Sequence, residues 1–158
     1  MNGTYYPPGA FYFSVQVIGA GAGAPAASVD ASFQEVSGIQ AELEVQTVVE
    51  GGENRFAYRL PRYVKYPNLV LRRGAVTSGS TLVDWVTATL GSGLAKPVEP
   101  RDLMVSLLNS AGSPLISWTF VRAYPVKWDL APLDSTQNKV LIESLELAYN
   151  YFNRVAAG

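Results

Sequence analysis

Apolar and polar residues alternate along much of the chain, which is the pattern of β-strands that bury one face. Residues 11–18 form the first predicted strand, because aromatic and β-branched residues dominate there. Its apolar face holds Phe11, Phe13, Val15 and Val17. Further short strands are predicted at residues 31–36, 39–49, 55–60, 68–73, 104–108, 115–123 and 126–128. Turn residues separate these runs, as in antiparallel barrels and sandwiches.

The alternation is cleanest over residues 39–49. Its apolar face holds Ile39, Ala41, Leu43, Val45, Thr47 and Val49. Its polar face holds Gln40, Glu42, Glu44 and Gln46. Gly51-Gly52 can supply the positive φ angles of a tight turn, so residues 55–60 are expected to return as the partner strand. Proline cannot donate to a strand ladder, and Pro61 and Pro67 are therefore predicted to bracket an irregular connection.

One short helix is predicted at about residues 80–90. Thr81 and Asp84 have the spacing of a capping box, and Gly91-Ser92-Gly93 ends the helix after about three turns. Leu82 and Trp85 lie on its apolar stripe, with Val86 and Thr89. A helix this short needs a sheet to pack on. The three tryptophans, Trp85, Trp118 and Trp128, are each interpreted as core anchors because large aromatic residues dominate burial energetics.

Residues 140–152 fit a strand and a helix equally well by periodicity. The whole pattern still predicts one mainly β domain over residues 1–158, an antiparallel β-barrel or sandwich with one short helix. Residues 1–9 are expected to be an N-terminal segment. Residues 19–28 are expected to form a Gly/Ala-rich surface loop, since they offer little side chain to bury.

Composition excludes several kinds of chemistry. The chain has no cysteine and no histidine, which removes thiolate nucleophiles, disulfides, the commonest metal ligand and the usual general base. The formal net charge of −1 gives no field that would favour nucleic acid or anionic lipid. No secretory leader or membrane-spanning run is recognised, so synthesis in the cytoplasm and no membrane partner are expected. No cofactor is implied.

Charge is segregated along the chain. Six acids precede every basic residue: Asp30, Glu35, Glu42, Glu44, Glu50 and Glu53. Six basic residues then follow without an acid among them: Arg55, Arg59, Arg62, Lys65, Arg72 and Arg73. The two blocks can pair across strands within one chain, or they can form complementary surfaces that meet between subunits. The sequence does not decide between these alternatives.

Two weaker interpretations come from individual segments. Glu42 and Glu44 are two residues apart on one strand face, roughly 6.6–6.8 Å along the backbone, which resembles the carboxyl separation of an inverting glycosidase. A solvated or partner-facing polar stripe explains the same pair more simply, and a carbohydrate-active barrel or carbohydrate-binding module is the alternative. The basic segment 55–73 is interleaved with aromatics, but the acidic strand before it would screen it, so no specific nucleic-acid binding is expected.

Several motifs resemble the tail-tube family of contractile phage tails and extracellular contractile injection systems. The acidic-Gly-Gly-x-Asn turn of that family is similar to Glu50-Gly51-Gly52-Glu53-Asn54. Other matching residues are Leu60-Pro61, Lys65-Tyr66, Asn68-Leu69-Val70-Leu71, Arg73-Gly74, Leu82, Trp85, Trp118, Ala123-Tyr124-Pro125, Lys127, Asn138 and the run VLIESLELAY at 140–149. Arg62, where the family commonly has glycine, and the insert after Ile18 depart from the pattern.

The resemblance implies a structural, non-enzymatic subunit whose barrel closes into hexameric rings. These rings stack around a lumen for cargo or DNA, inside a contractile sheath, in a phage tail or injection-system particle. Residues 140–149 are then expected to be a strand. Gln40, Glu42, Glu44 and Gln46 are candidates for the lumen or a neighbouring subunit, and the candidates for the subunit interface are Glu50, Glu53, Asn54, Arg55, Arg59 and Arg62. Whether the chain is the repeated tube subunit or the ring that starts the tube on the baseplate stays open.

Overall fold

The computed structural model describes residues 11–18, 29–52, 55–75, 80–133 and 140–155. They form ten strands and one helix: β1 Tyr12–Ile18, β2 Val29–Phe33, β3 Glu35–Ser37, β4 Glu42–Val48, β5 Tyr58–Lys65, β6 Leu69–Gly74, α1 Thr81–Gly91, β7 Arg101–Leu108, β8 Pro114–Leu133, β9 Val140–Ala148 and β10 Tyr151–Val155. The mainly β class with one short helix is confirmed, and residues 140–148 are a strand. The predictions for residues 1–9 and 19–28 and for Asn138 lie outside the described residues.

Eight strands belong to one antiparallel sheet in the order β2-β1-β7-β8-β9-β6-β3, with β10 also paired to β8. The remaining two strands, β4 and β5, pair only with each other. The larger sheet folds over on itself, since residues from β1 and β7 at one end share a core with residues from β6 and β9 at the other. This arrangement is a sandwich of two sheet halves joined through β8.

Strand β8 crosses between the halves because two bulges bend it. One bulge lies at Arg122, whose φ is 54°, and the Arg122 backbone N–H donates to Asp102 Oδ1 at 2.9 Å. The second lies at Val126, where the register against β9 shifts. Bulges bend strands in this way. The predicted strands 115–123 and 126–128 are therefore one continuous strand that accommodates Pro125.

The core consists of the inward-facing residues of both halves and one face of α1. It includes Val15, Phe33, Leu71, Leu82, Trp85, Val86, Leu103, Val105, Phe120, Leu145 and Leu147, all buried. Trp118 packs against this cluster from its rim. The predicted anchors Leu82, Trp85 and Trp118 thus do lie in or against the core. Trp128 does not: it is 39% exposed, so its interpretation as a core anchor was wrong.

The helix begins one residue earlier than its sequence pattern indicated. Ser80 is the N-cap, and its Oγ accepts the backbone N–H of Val83 at 3.1 Å. Thr81 is the first helical residue instead of the cap. An N-cap of this kind satisfies one of the free backbone donors of the first turn. The correct cap keeps the predicted stripe, because Leu82, Trp85 and Val86 are the buried residues of α1.

Candidate assembly surface

The β4–β5 hairpin has solvent on both faces. No other strand of the described chain pairs with it, and every residue of β5 is exposed. An isolated two-stranded hairpin is marginally stable at best in water. This hairpin therefore needs a covering surface that the described chain does not supply.

The register of the hairpin assigns its side chains to two faces. Leu43 lies opposite Val64 and Val45 opposite Pro61, with an extra residue in β5 between these pairs. Strand geometry then places Glu42, Glu44 and Gln46 together on the other face, where Glu44 forms an ion pair with Lys65 at 2.7 Å. Gln40 precedes β4, and its backbone N–H donates to the Gly38 carbonyl. The shared face of Glu42, Glu44 and Gln46 follows the sequence alternation.

Large apolar side chains are exposed along this hairpin. Leu43 and Tyr63 are each 52% exposed, and Leu60 is 49% exposed. Tyr58, Val64 and Phe56 are also exposed. A concentration of exposed apolar residues on one element marks an interaction site more often than scattered single residues do. The hairpin is therefore the candidate assembly surface.

The charged residues predicted at the hairpin's outer part are solvent-exposed where the structure describes them. Glu50, Arg55, Arg59 and Arg62 are all exposed. Arg62 lies over the Tyr63 ring, with its Cζ 5.6 Å from the ring centroid. Glu53 and Asn54 lie outside the described residues. The exposure leaves Glu50 and the arginines available to a partner, and their role at an interface stays a prediction.

Part of the segregated charge is paired within the chain. Lys65 pairs with Glu44, Arg72 with Glu35 at 3.4 Å, and Arg73 with Asp30 at 3.2 Å. Only the first of these pairs belongs to the hairpin. The hydrogen bond from Lys65 to Glu44, with the charge of that carboxylate, raises the pKa of Lys65.

Arg73 lies at the centre of a buried ionic cluster. Its guanidinium donates to Ser80 Oγ at 2.8 Å, to Asp30 Oδ1 at 3.2 Å and to Glu143 Oε2 at 3.3 Å. Asp30 also accepts the backbone N–H of Leu82. The cluster thus ties β2, β6 and β9 to the first turn of α1.

Glu143 extends this cluster to the surface. Its Oε1 accepts the indole N–H of Trp128 at 2.9 Å. The sequence analysis did not single out this cluster, although a signal was present. Arg73 follows Leu69 and Leu71 at the same two-residue spacing, and Glu143 precedes Leu145 and Leu147 in the same way. Alternation therefore placed both charges on inward faces.

The opposite, solvent-facing side of the β3-β6-β9-β8 half is polar. In register across these strands lie Glu35, Arg72, Ser144 and Asp129, and next to them Ser37, Val70, Glu146 and Lys127. Positive and negative side chains are interspersed on this face. It therefore carries no strong field of one sign.

Other sites offer less chemistry. A groove of about 560 Å³ lies beside α1 and is lined in part by Asp84, Trp85, Lys96 and Arg101, away from Glu42 and Glu44. The described residues include no cluster of acids that could hold a metal ion. No helix among them is both long and apolar enough to span a bilayer. Burial, with a smaller effect of Tyr66, raises the pKa of Tyr149 to about 12, and the Tyr149 hydroxyl donates to the Gly38 carbonyl.

A family model, described as T4-like virus tail tube protein gp19, matches residues 9–153. The chain belongs to the tail tube protein family. The match covers both sheet halves, the helix and the exposed hairpin. It confirms the resemblance that the motifs around Gly51-Gly52 and Leu60-Pro61 indicated. None of the curated proteins compared with this tail tube protein is similar enough in sequence to count as a match.

Solved structures agree with this family. A chain from the baseplate of the anti-feeding prophage, described as 6-fold symmetrised, is 30% identical with a TM-score of 0.73, over 90% of this chain and 91% of that one. A chain from the sheath-tube complex of an extracellular contractile injection system is 24% identical with a TM-score of 0.70, over 98% and 95%. Hcp1 from Flavobacterium johnsoniae is 14% identical with a TM-score of 0.50, over 90% and 94%, and shares the fold.

Proposed function

We propose that this tail tube protein is a non-catalytic subunit that forms hexameric rings, which stack into the inner tube of a contractile particle. The observation that carries this proposal is the β4–β5 hairpin, whose apolar residues are exposed on a strand pair that no other described strand joins. In a ring, neighbouring copies cover such a hairpin and stabilise it by mass action. Stacked identical rings need a heterologous contact between two different faces.

The relatives support this assembly and its partners. The 30% identical chain comes from a baseplate described as 6-fold symmetrised, and a similar chain comes from a sheath-tube complex. We extend both features to this protein: six-membered rings, with sheath and baseplate proteins as partners in the same particle. The protein is made in the cytoplasm and carried in the assembled phage tail or injection system.

Two positions in such a particle fit the chain. The first is the repeated tube subunit. The second is the ring that begins the tube on the baseplate, and one observation favours it: the baseplate chain is 30% identical to this protein, against 24% for the chain of the sheath-tube complex. Microscopy of the native particle with a labelled subunit separates the two, because a repeated subunit labels the whole tube length and a starter labels one end.

A lumen lined by Gln40, Glu42, Glu44 and Gln46 would present polar side chains to the cargo. The carboxylates of Glu42 and Glu44 lie on an exposed hairpin, and Glu44 is engaged by Lys65. A glycosidase needs two carboxyl groups that flank a bound sugar in a defined cleft. The hairpin therefore supports a wall better than a catalytic site, and no cofactor enters the proposal.

Electron microscopy and sedimentation velocity of the purified protein test the assembly. Wild-type protein is expected to form rings, and Leu60→Asp is expected to leave monomers, because it adds a charge to the exposed apolar hairpin. Leu115→Asp is the matched control, since Leu115 is also a half-exposed leucine in a strand but lies outside the hairpin. Circular dichroism checks that both variants fold.

Two results would contradict the proposal. One is a wild-type protein that stays monomeric at every concentration and is missing from native particles. The other is glycan turnover by the wild type that disappears in Glu42→Gln, which would identify a carbohydrate-active enzyme. The charged residues of the hairpin are tested in the same way: Arg55→Glu with Arg59→Glu is expected to shorten stacked tubes more than it lowers folding stability. An unchanged tube length would exclude their role in stacking.

A further inference from the structure

We infer that the free edge of β8, over residues 124–133, receives strand β4 from the hairpin of a second copy, so that the sheet continues from one subunit into the next. Trp128 and Leu130 form the apolar floor of this contact, and Lys127 meets the acidic face of β4. The inference rests on the proposed ring, and it assigns the two strand edges that join.

The receiving edge is the second half of β8. Residues 124–133 pair with β9 on one side, while β7 ends its pairing with β8 at Ala123. No strand among the described residues pairs with the other side of 124–133. Between Pro125 and Pro132 every residue keeps its backbone N–H. A free edge of this length is a template for strand addition by another chain.

The core-side face of this edge is apolar and uncovered. Trp128 is 39% exposed, Leu130 41% and Leu141, from the adjoining strand, 46%. Trp128 lies opposite Leu145 and Leu130 opposite Glu143, so these side chains point to the same side as the core. The indole N–H is already bonded to Glu143, which leaves only apolar indole surface for a partner. Tryptophan held in this way is a frequent anchor of protein interfaces.

The donated strand is β4 instead of β5. Strand β5 contains Pro61 and a bulge, and both features disfavour further pairing at an edge. Strand β4 has seven residues without proline, shorter than the free edge of β8. Its two faces match those of β8. Leu43 and Val45 on one face would continue the apolar surface of Trp128 and Leu130.

The charges on the other face are complementary. Glu42 and Glu44 share that face of β4, and Lys127 projects from the solvent side of β8. Lys127 takes part in none of the ion pairs found within the described ranges. Opposite charges across paired strands stabilise the pairing. A second copy of this chain therefore supplies both the apolar and the acidic partner that the β8 edge needs.

Oxidative cross-linking tests this pairing directly, because the chain has no cysteine. Double variants Leu43→Cys/Leu130→Cys and Thr47→Cys/Leu130→Cys bracket the possible registers, since a disulfide requires Cα atoms within about 7 Å. At least one is expected to yield a ladder of covalent oligomers that ends at the hexamer. The matched control is Leu43→Cys/Asn153→Cys, which uses the outer edge of β10, and it is expected to give no ladder.

A charge swap gives the second test. Lys127→Glu is expected to lower the fraction of protein in rings at least tenfold at low salt, and Lys127→Glu/Glu42→Lys is expected to restore it. Circular dichroism confirms that each variant folds. Rings without a ladder from either β8 double variant, or a ladder from the β10 control alone, would overturn this pairing and leave the ring intact as a proposal. The absence of both rings and ladders would overturn the pairing together with the proposed function.

Discussion

Replacing Arg73 by methionine removes the only cation from the buried ionic cluster described above. Arg73 is 3% exposed, and so is Glu143, while Asp30 is 7% exposed. Methionine retains an apolar stem but loses the bonds to Ser80, Asp30 and Glu143, which leaves two carboxylates in the interior. Breaking a buried pair in this way costs about 3–5 kcal/mol. The free energy of unfolding is expected to fall by that amount.

Arg72 is the matched control because it is the adjacent residue and also pairs with a carboxylate, but at the surface. The Arg72–Glu35 pair is about half exposed on both sides. Exposed pairs contribute about 0–1 kcal/mol, so Arg72→Met is expected to have little effect. The contrast between the two variants isolates burial as the cause.

Urea unfolding followed by tryptophan fluorescence measures the difference, at a protein concentration low enough to keep the subunit monomeric. With a urea m value of about 2 kcal/mol/M, the midpoint for Arg73→Met should fall by roughly 1.5–2.5 M. Adding Asp30→Asn and Glu143→Gln to Arg73→Met is expected to recover part of the loss, since neutral acceptors remain for Leu82 N–H and the Trp128 indole. Equal midpoints for Arg72→Met and Arg73→Met would refute the reasoning.

Two further perturbations address the turn between β3 and the hairpin. Gly38 has a φ of 90°, and a Cβ there would collide with the Asn68 carbonyl oxygen, so Gly38→Ala should lower the melting temperature clearly, whereas Gly51→Ala, which meets no atom, should not. Because the pKa of Tyr149 is raised to about 12, the unfolded chain loses this proton first as pH rises, and stability that is full below about pH 10 should fall between pH 10 and 12. Tyr149→Phe should flatten that part of the pH profile in urea titrations; equal slopes for variant and wild type would show that Tyr149 does not titrate differently on folding.

The sequence predicted the strands whose alternation reports burial. Residues 69–74 and 101–108 are close to their predicted bounds, and the helix differs by one residue because Ser80 and Thr81 are both acceptable caps. The errors concern proline. Pro61 lies within β5 and Pro125 within β8, because an edge strand and a bulge need no N–H from proline. Which strands become edges depends on the three-dimensional pairing, and a single sequence does not report it.

The candidate site was partly predicted for the same reason. Alternation correctly grouped Glu42, Glu44 and Gln46 on one face, since period two follows from strand geometry alone. It wrongly assigned Leu43 and its neighbours to a buried face, because the pattern shows which residues share a side but not whether the chain covers that side. Trp128 was misplaced in the same way. Its strand continues past the end of the core, and only the structure shows where the core ends.

The two bulges in β8 have a mechanical consequence. Because residues 114–133 form one strand that belongs to both sheet halves, the halves cannot slide past each other without breaking the pairing of β8 with β7 or β9. A shearing load applied to one half therefore passes to the other along a covalent backbone instead of across a packed interface. The sandwich resists deformation as a unit, and compliance is concentrated in the hairpin, the element that is left to neighbouring molecules.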